Sequence, residues 1–426
     1  MAGLMLGVGR EREFLSFLFS TAVRAADPDS LMAMHLPPPP KGRVIVVGAG
    51  KAASQMARAF EHVWNRPCEG VVVARHGPVE KTKFIRVLTA AHPVPDSHGL
   101  IASQALLDAV SGLTSDDLVI ALISGGGSAL LPAPPDGFTL EDEMSLHKAL
   151  LHSGAPISAM NCVRAHFSKV KGGRLAAAAY PAPVVTLIVS DIPGDHPALV
   201  ASGPTVPSDM TARDACAILD DYRIDVSASI RNAIMTASAP KPSDHQFKNQ
   251  QVHVIASARL SLRAAQHEAE RHGIKAIILS DAIEGEARDI GMMHAALARE
   301  IALYDSPFAR PVLLLSGGET TVTIGPGNLG RGGRNGEFLL SFALAVQGLP
   351  NLFALAADTD GIDGTEANAG AFADGRTGEA LRQEGLDGRA LLLAHDSYTA
   401  FERIGGLFTP GPTGTNVNDF RAILIQ

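Results

Sequence analysis

The strongest constraint on the fold is a repeated pattern. Continuous apolar runs recur along the chain, and each stops at glycine or a polar residue. Arg43–Val47 runs into Gly48, Val71–Ala74 into Arg75, Leu118–Ile123 into Ser124–Gly127, and Val184–Val189 into Ser190–Asp191. A run with no polar alternation reads as a strand covered on both faces, as parallel sheets require. Helical stretches lie between several of these runs, which predicts a doubly wound α/β domain. Glu13–Ala26 also has helical spacing, with Phe14, Leu15, Leu18 and Phe19 forming one stripe.

Ser238–Gln251 is polar, contains Pro240 and Pro242, and reads as a linker. Beyond it the pattern restarts, with strands expected at Val252–Ala256, Ala276–Leu279, Val312–Leu315, Leu352–Ala357 and Phe420–Ile425. The prediction is a larger domain over 1–240 and a smaller α/β domain over 250–404. Patterning does not say which sheet takes the terminal strand. The segment 405–426 is therefore a candidate to return to the first domain.

At 426 residues the chain is long enough for two domains. Lys+Arg 36 against Asp+Glu 44 leaves a net charge of −8, which disfavours wholesale binding of nucleic-acid phosphates but permits a local cleft for a small anion. Cys68, Cys162 and Cys216 are far apart and fit a reducing compartment. Arg10, Glu11, Arg12 and Glu13 precede the first apolar run, unlike a secretory signal. The apolar stretch Leu175–Val189 is too short to span a bilayer and contains Pro181 and Pro183. A cytoplasmic enzyme or binding protein is expected, without nucleic-acid or membrane partners. A homo-oligomer is compatible with the sequence.

Several motifs carry chemistry. Gly48-Ala-Gly50-Lys51-Ala-Ala53 follows a strand and approaches the dinucleotide fingerprint, although Arg75 stands where a ribose-binding acid is expected. A lysine in the first turn of a helix opposes the helix dipole unless an anion sits there too. Ser124-Gly125-Gly126-Gly127-Ser128 can turn successive N–H groups into an anion nest. Ser128 lacks the final glycine of a nucleophile elbow. Ile157–Leu175 reads as one helix, with Asn161, Arg164, Ser168 and Lys171 on one polar line. That line is either a solvated face or a cationic wall for a carboxylate or phosphate.

Asp191 and Asp195 follow a strand and are either turn residues or Mg²⁺ ligands. Gly317-Gly318-Glu319 forms a second glycine turn. Arg331-Gly332-Gly333-Arg334-Asn335, in the glycine-rich segment 325–336, suits bidentate phosphate recognition. Asp358, Asp360 and Asp363 close another strand. They do not make an EF-hand, because the sixth position is Asp363 and the twelfth Ala369. Glycine turns, cations and acid pairs together are the parts that phosphoryl transfer uses.

In order along the chain stand VVGAGKA, HPVPD, SGGGSALL, NCVRAHFSKVKGGRLA, SDIPGD, SGPTVPSD, SGGETTVT, GRGGRNGE, DTDGIDG and TGTNVND. This set resembles the class II glycerate kinases, or glycerate 2-kinases, whose C-terminal part is the MOFRL domain. The resemblance covers nearly the whole chain. It implies ATP- and Mg²⁺-dependent phosphorylation of D-glycerate at the 2-hydroxyl, giving 2-phosphoglycerate and ADP. It also implies a Rossmann-like N-terminal domain, a smaller MOFRL-type α/β domain, and an active site in the cleft between them. On matching positions the resemblance implies that Lys51 and Arg334 are the catalytic cations and Asp360 the third essential group, near the metal or the acceptor hydroxyl.

The phosphate- and substrate-binding set then expected is Gly48, Gly50, Ser124, Gly125, Gly126, Gly127, Ser128, Asn161, Arg164, Lys171, Gly317, Gly318, Gly332, Gly333 and Asn335. Asp191, Glu319 and Asp360 are expected to hold Mg²⁺ or orient the hydroxyl. Family members are also labelled hydroxypyruvate reductase. An NAD(P)H-dependent reductase, using Arg75 and either His92 or His98, is therefore the first alternative. A non-enzymatic sugar-acid or nucleotide sensor is the second.

Overall fold

The computed structural model describes residues 9–325 and 330–426. The chain divides into two compact units. One is Pro28–Ile255. The other is Ala256–Gln426 together with the N-terminal helix Glu11–Arg24.

The unit 28–255 is built on six strands: β1 (Val44–Ala49), β2 (Glu69–Arg75), β3 (Ile85–Ala90), β4 (Leu118–Ser124), β5 (Val184–Ser190) and β6 (Gln251–Ser257). Their order is β3-β2-β1-β4-β5-β6. The β3–β2, β2–β1, β1–β4 and β4–β5 pairs are parallel. This is the Rossmann order, and its switch point, where such folds bind ligands, lies between β1 and β4. The apolar runs are buried as expected: every residue of β1, β4 and β5 is buried.

The segment 157–175 departs from the single helix expected. A helix spans Ile157–His166, and a second begins only at Arg174. Gly172 and Gly173 take positive φ, +65° and +82°, between them. Packing drives the break. Val163 and Phe167 join a small helical core with Leu146, Leu150 and Leu219, while Val170 and Leu175 join the sheet core. One straight helix could not serve both.

The second unit holds β7 (Lys275–Ser280), β8 (Gly285–Glu286), β9 (Val312–Gly318), β10 (Thr320–Thr321), β11 (Leu352–Asp358), β12 (Gly370–Asp374), β13 (Leu407–Phe408) and β14 (Asp419–Ile425). Its main sheet runs β13-β12-β11-β14-β9-β7, with β8 and β10 as a separate short pair. The C-terminal strand does not return to the first domain. β14 lies in the middle of this second sheet, antiparallel to β11 and β9, and all seven of its residues are buried.

The N-terminal helix also belongs here, not to a 1–240 domain. Its stripe of Phe14, Leu15, Leu18 and Phe19 packs with Leu262, Ala265, Leu313, Leu355 and Phe420. Phe19 meets Phe408 and Phe420 edge-on at 5.0 and 5.8 Å. Period-two alternation sends Phe420, Ala422 and Leu424 to this face and Ile423 and Ile425 to the other. No helix among the described residues is long and apolar enough to cross a membrane.

Candidate active site

In the unit 28–255, the loops after β1 and β4 meet at the switch point. Lys51 N–H donates to the Gly125 carbonyl at 2.8 Å, and Ala52 N–H to Ser124 Oγ at 3.0 Å. Gly125 has no room for a Cβ because the Asp191 carboxylate, just beyond β5, lies against it. Asp191 Oδ2 is 4.0 Å from Lys51 Nζ. Gly126 turns with φ +79°, and a Cβ there would stand 3.0 Å from Lys51 Cγ and 3.2 Å from His92 Nε2. Behind this turn runs a polar chain. Ser128 Oγ is 2.7 Å from Ser202 Oγ, which donates to Asn161 Oδ1 at 2.9 Å. Asn161 anchors itself by donating Nδ2 to the Leu199 carbonyl at 2.7 Å.

That chain ends on Arg164, which is 8% exposed. Its Nη1 donates to Asn161 Oδ1 at 2.9 Å, while its Nε meets no acceptor among the described residues. Burial lowers its pKa to about 10, and Glu143 pulls the other way. Glu143 is already committed: its two oxygens accept from Lys171 Nζ at 2.8 Å and Ala133 N–H at 2.9 Å. His147 is also buried, with Nε2 unpartnered. Burial, then Arg164 and Lys171, lower its pKa to about 4, so the ring is neutral near pH 7. A buried cation without a counter-ion is costly, as is an orphaned donor. Both are relieved by an anion.

The second unit carries the opposite arrangement. Arg334 opens the helix Arg334–Ala345 and binds three carboxylates. Nε reaches Asp419 Oδ1 at 2.8 Å, Nη1 reaches Glu319 Oε1 at 2.9 Å, and Nη2 reaches Asp358 Oδ2 at 2.6 Å. Burial works against the charge, but Asp419, then Asp358 and Glu319, hold its pKa above the ordinary arginine value. Arg421 is fully buried on β14. It donates to Asp419 Oδ2, to Thr320 Oγ1 at 3.1 Å and to the Gly317 carbonyl at 3.3 Å. Its guanidinium lies 5.1 Å from the Phe338 ring centroid.

Asp360 donates its N–H to Asp358 Oδ1 at 3.1 Å, and its carboxylate accepts from Ile362 N–H at 2.8 Å and Asn416 Nδ2 at 3.4 Å. Burial, then Asp360, hold the Asp358 carboxyl well above the usual carboxylate range. Burial raises Asp363 to about 6, although Asn335 and Gly336 N–H groups bind it. Five acids therefore share two arginines. The surplus of hard oxygen donors fits Mg²⁺, which is usually held by one or two carboxylates plus water and substrate phosphate.

Residues 14–235 match a model described as a domain of unknown function (DUF4147), and residues 312–419 match the MOFRL family. The glycerate 2-kinase of Pyrococcus horikoshii is 40% identical over 96% of this chain and 96% of its own. The crystal structure of glycerate kinase from Thermotoga maritima superposes with a TM-score of 0.87 at 37% identity, covering 97% of this chain and 99% of that one. This chain belongs to the glycerate kinase family. A relative from Agrobacterium vitis, 48% identical over 97% of this chain and 94% of its own, carries a hydroxypyruvate reductase name.

Within this glycerate kinase fold, the residues expected from sequence separate into groups. Lys51, Ser124–Ser128, Asn161, Arg164 and Asp191 converge in one unit; Arg334, Glu319 and Asp360 converge in the other. The three expected metal ligands are thus divided, since Asp191 lies in the unit 28–255 and Glu319 and Asp360 in the other.

Several expected phosphate binders have other work. Gly48 lies inside β1, paired with Val72 and Leu122, where a Cβ would overlap the Leu122 carbonyl. Gly50 closes against Ser124, and its N–H donates to the Val73 carbonyl. Gly318, with φ +120°, packs on Ile283, and Gly317 accepts from Ile283 N–H and Arg421. Gly332 packs on Ser397, and Gly333 makes room for Asp363. The helix N-terminus at Asn335, expected to take phosphate, is filled by the Asp363 carboxylate. Asn335 Nδ2 donates to Asp419 Oδ1 at 2.9 Å instead. Lys171 is 1% exposed and donates to Glu143 and the Leu131 carbonyl, so it is a structural cation and not part of an open wall. Ser168 is buried too, and accepts from Lys171 N–H at 3.1 Å. Of the glycine-rich segment 325–336, residues 326–329 lie outside the described residues.

Asp358, Asp419 and Arg421 were missing from the expected site. The signal was present: Asp419 and Arg421 sit at i and i+2 in an otherwise apolar run, on one face of one strand. Buried opposite charges so placed must be paired.

Proposed function

We propose that the protein transfers the γ-phosphoryl group of ATP to the 2-hydroxyl of D-glycerate, giving 2-phosphoglycerate and ADP. The observation that carries this reading is the buried Arg164, held by Asn161 at the switch point with no carboxylate of its own. It is suited to an anionic group that arrives with substrate, either the glycerate carboxylate or a phosphate. Lys51, beside the Gly125–Gly127 turn, adds a second cation. The family membership supports glycerate as the acceptor.

The acid-rich cluster of the second unit has the chemistry for the other needs of such a transfer. Asp358 and Asp360 would hold Mg²⁺, which when bound neutralises phosphate charge. Arg334, with its planar fork, is suited to the charge that spreads over the transferring phosphoryl oxygens. The glycerate 2-oxygen forms the new P–O bond, the bond between the β–γ bridging oxygen and the γ-phosphorus breaks, and the hydroxyl proton is released to a base or to water.

The Rossmann strand order and the name of the Agrobacterium relative favour a reductase as second reading. The dinucleotide-type turn itself weighs against it. The N–H groups of Gly50, Lys51 and Ala52 already donate to Val73, Gly125 and Ser124, leaving none of the three to cradle a pyrophosphate. Incubation with D-glycerate, ATP and Mg²⁺, followed by ³¹P NMR, tests the proposal. A 2-phosphoglycerate resonance supports it. Its absence, together with NADPH oxidation on hydroxypyruvate, would replace it with the reductase.

A further inference from the structure

Among the described residues, one group of three metal-type side chains has ligand atoms all within 4.8 Å of one another: His76, Asp96 and His98. None of the three takes part in the site above. His76 follows the end of β2. Asp96 caps the helix Ser97–Ala109, and His98 lies in its first turn. His76 Nε2 and His98 Nδ1 each stand 3.0 Å from the same oxygen, Asp96 Oδ2. The rings meet edge-on, 87° apart with centroids at 5.3 Å.

From this convergence we infer a binding site for a zinc-class divalent cation. Two imidazoles and one carboxylate are the donor set of open four-coordinate zinc sites, with water in the remaining position. Ligand atoms in a tetrahedral shell with bonds of about 2.0–2.1 Å lie roughly 3.3 Å apart, close to the 3.0 Å of the two histidine–Asp96 separations. The second shell is in place as well. His76 Nδ1 is 3.0 Å from Thr89 Oγ1, which fixes the ring so that Nε2 faces the site. Asp96 Oδ1 is held by Gly99 N–H at 3.0 Å and Ala91 N–H at 3.3 Å, leaving Oδ2 for the cation. Both histidines are exposed, so the ion has an open path. Because Asp96 also ties Ala91, a bound cation would fasten the loop that presents His92 beside Gly126.

Untagged protein, stripped with EDTA, is titrated with zinc chloride by calorimetry. Wild type is expected to bind one equivalent. His98→Ala and His76→Ala should each weaken binding by at least about tenfold, following the loss of one of three ligands. His98 is the more exposed side chain, and its replacement should leave the metal-free melting curve unchanged. Cobalt chloride should give the visible bands of a four-coordinate ion in wild type and not in either variant. Zinc binding of equal strength in wild type and both variants would place the ion elsewhere and overturn the inference. No zinc uptake by wild type would overturn it equally, leaving two histidines that merely clasp Asp96.

Discussion

The two units treat their buried arginines in opposite ways. Arg164 has one amide oxygen for company and an orphaned Nε, whereas Arg334 is gripped by three carboxylates and Arg421 by one of the same three. One unit leaves a positive charge unanswered; the other gathers more negative charge than its arginines can answer. Structural ion pairs balance, as Lys171 and Glu143 do a few residues from Arg164. The proposed function rests on that imbalance at both constellations.

The comparison can be broken most directly at Lys171. If this lysine is purely structural, Lys171→Met leaves Glu143 buried and unpaired and should cost about 3–5 kcal/mol of stability. Adding Glu143→Gln should recover part of that loss in denaturant unfolding. A variant with wild-type stability but no activity would return Lys171 to the substrate.

Arg334→Lys comes next. It keeps the charge but loses the fork, and kcat should fall about 10²–10³-fold, the scale of a lost oxyanion donor. Normal steady-state turnover in this variant would remove Arg334 from the chemistry.

Arg164→Met sharpens the contrast, because stability and function should move apart. Removing an unanswered buried cation should raise the melting temperature, while KM for glycerate or ATP rises about 10–100-fold. A lower melting temperature with unchanged KM would show that Arg164 is structural.

The smallest effect concerns pH. His147 and His294 are both buried with pKa lowered to about 4, so the folded state resists their protonation and the unfolded state does not. Their contribution is fully present above about pH 6.5 and is lost as pH falls toward 4. Between pH 6.5 and 5.5 the loss should be on the order of 1 kcal/mol per histidine, seen as a falling melting temperature. His294→Gln should flatten that slope.

Much of the first sheet was legible because its strands are short, continuous and apolar on both faces. The loops that follow them, Ser124–Ser128 and Asp191, were legible for the same reason: each begins where one of these strands ends. Long-range placement was not. Nothing local in Phe420–Ile425 says that it will separate β9 from β11, and nothing in Phe14–Phe19 names Phe420 as its partner. The line from Asn161 to Lys171 misled because helical periodicity was carried past His166, where tertiary packing ends the helix. The glycines misled differently. Gly48, Gly50 and Gly333 are small because other protein groups occupy the space, a demand that looks identical in sequence to the close approach of a phosphate.

The placement of β14 has a consequence for how the molecule is made. Chain connectivity makes residues 28–255 an insertion between the helix Glu11–Arg24 and the rest of its own unit. As the chain leaves the ribosome, the inserted unit is complete while its host still lacks the central strand of its sheet. That strand also brings Asp419 and Arg421, so the surroundings of Arg164 can form early, and the cluster around Arg334 exists only once β14 has threaded into place.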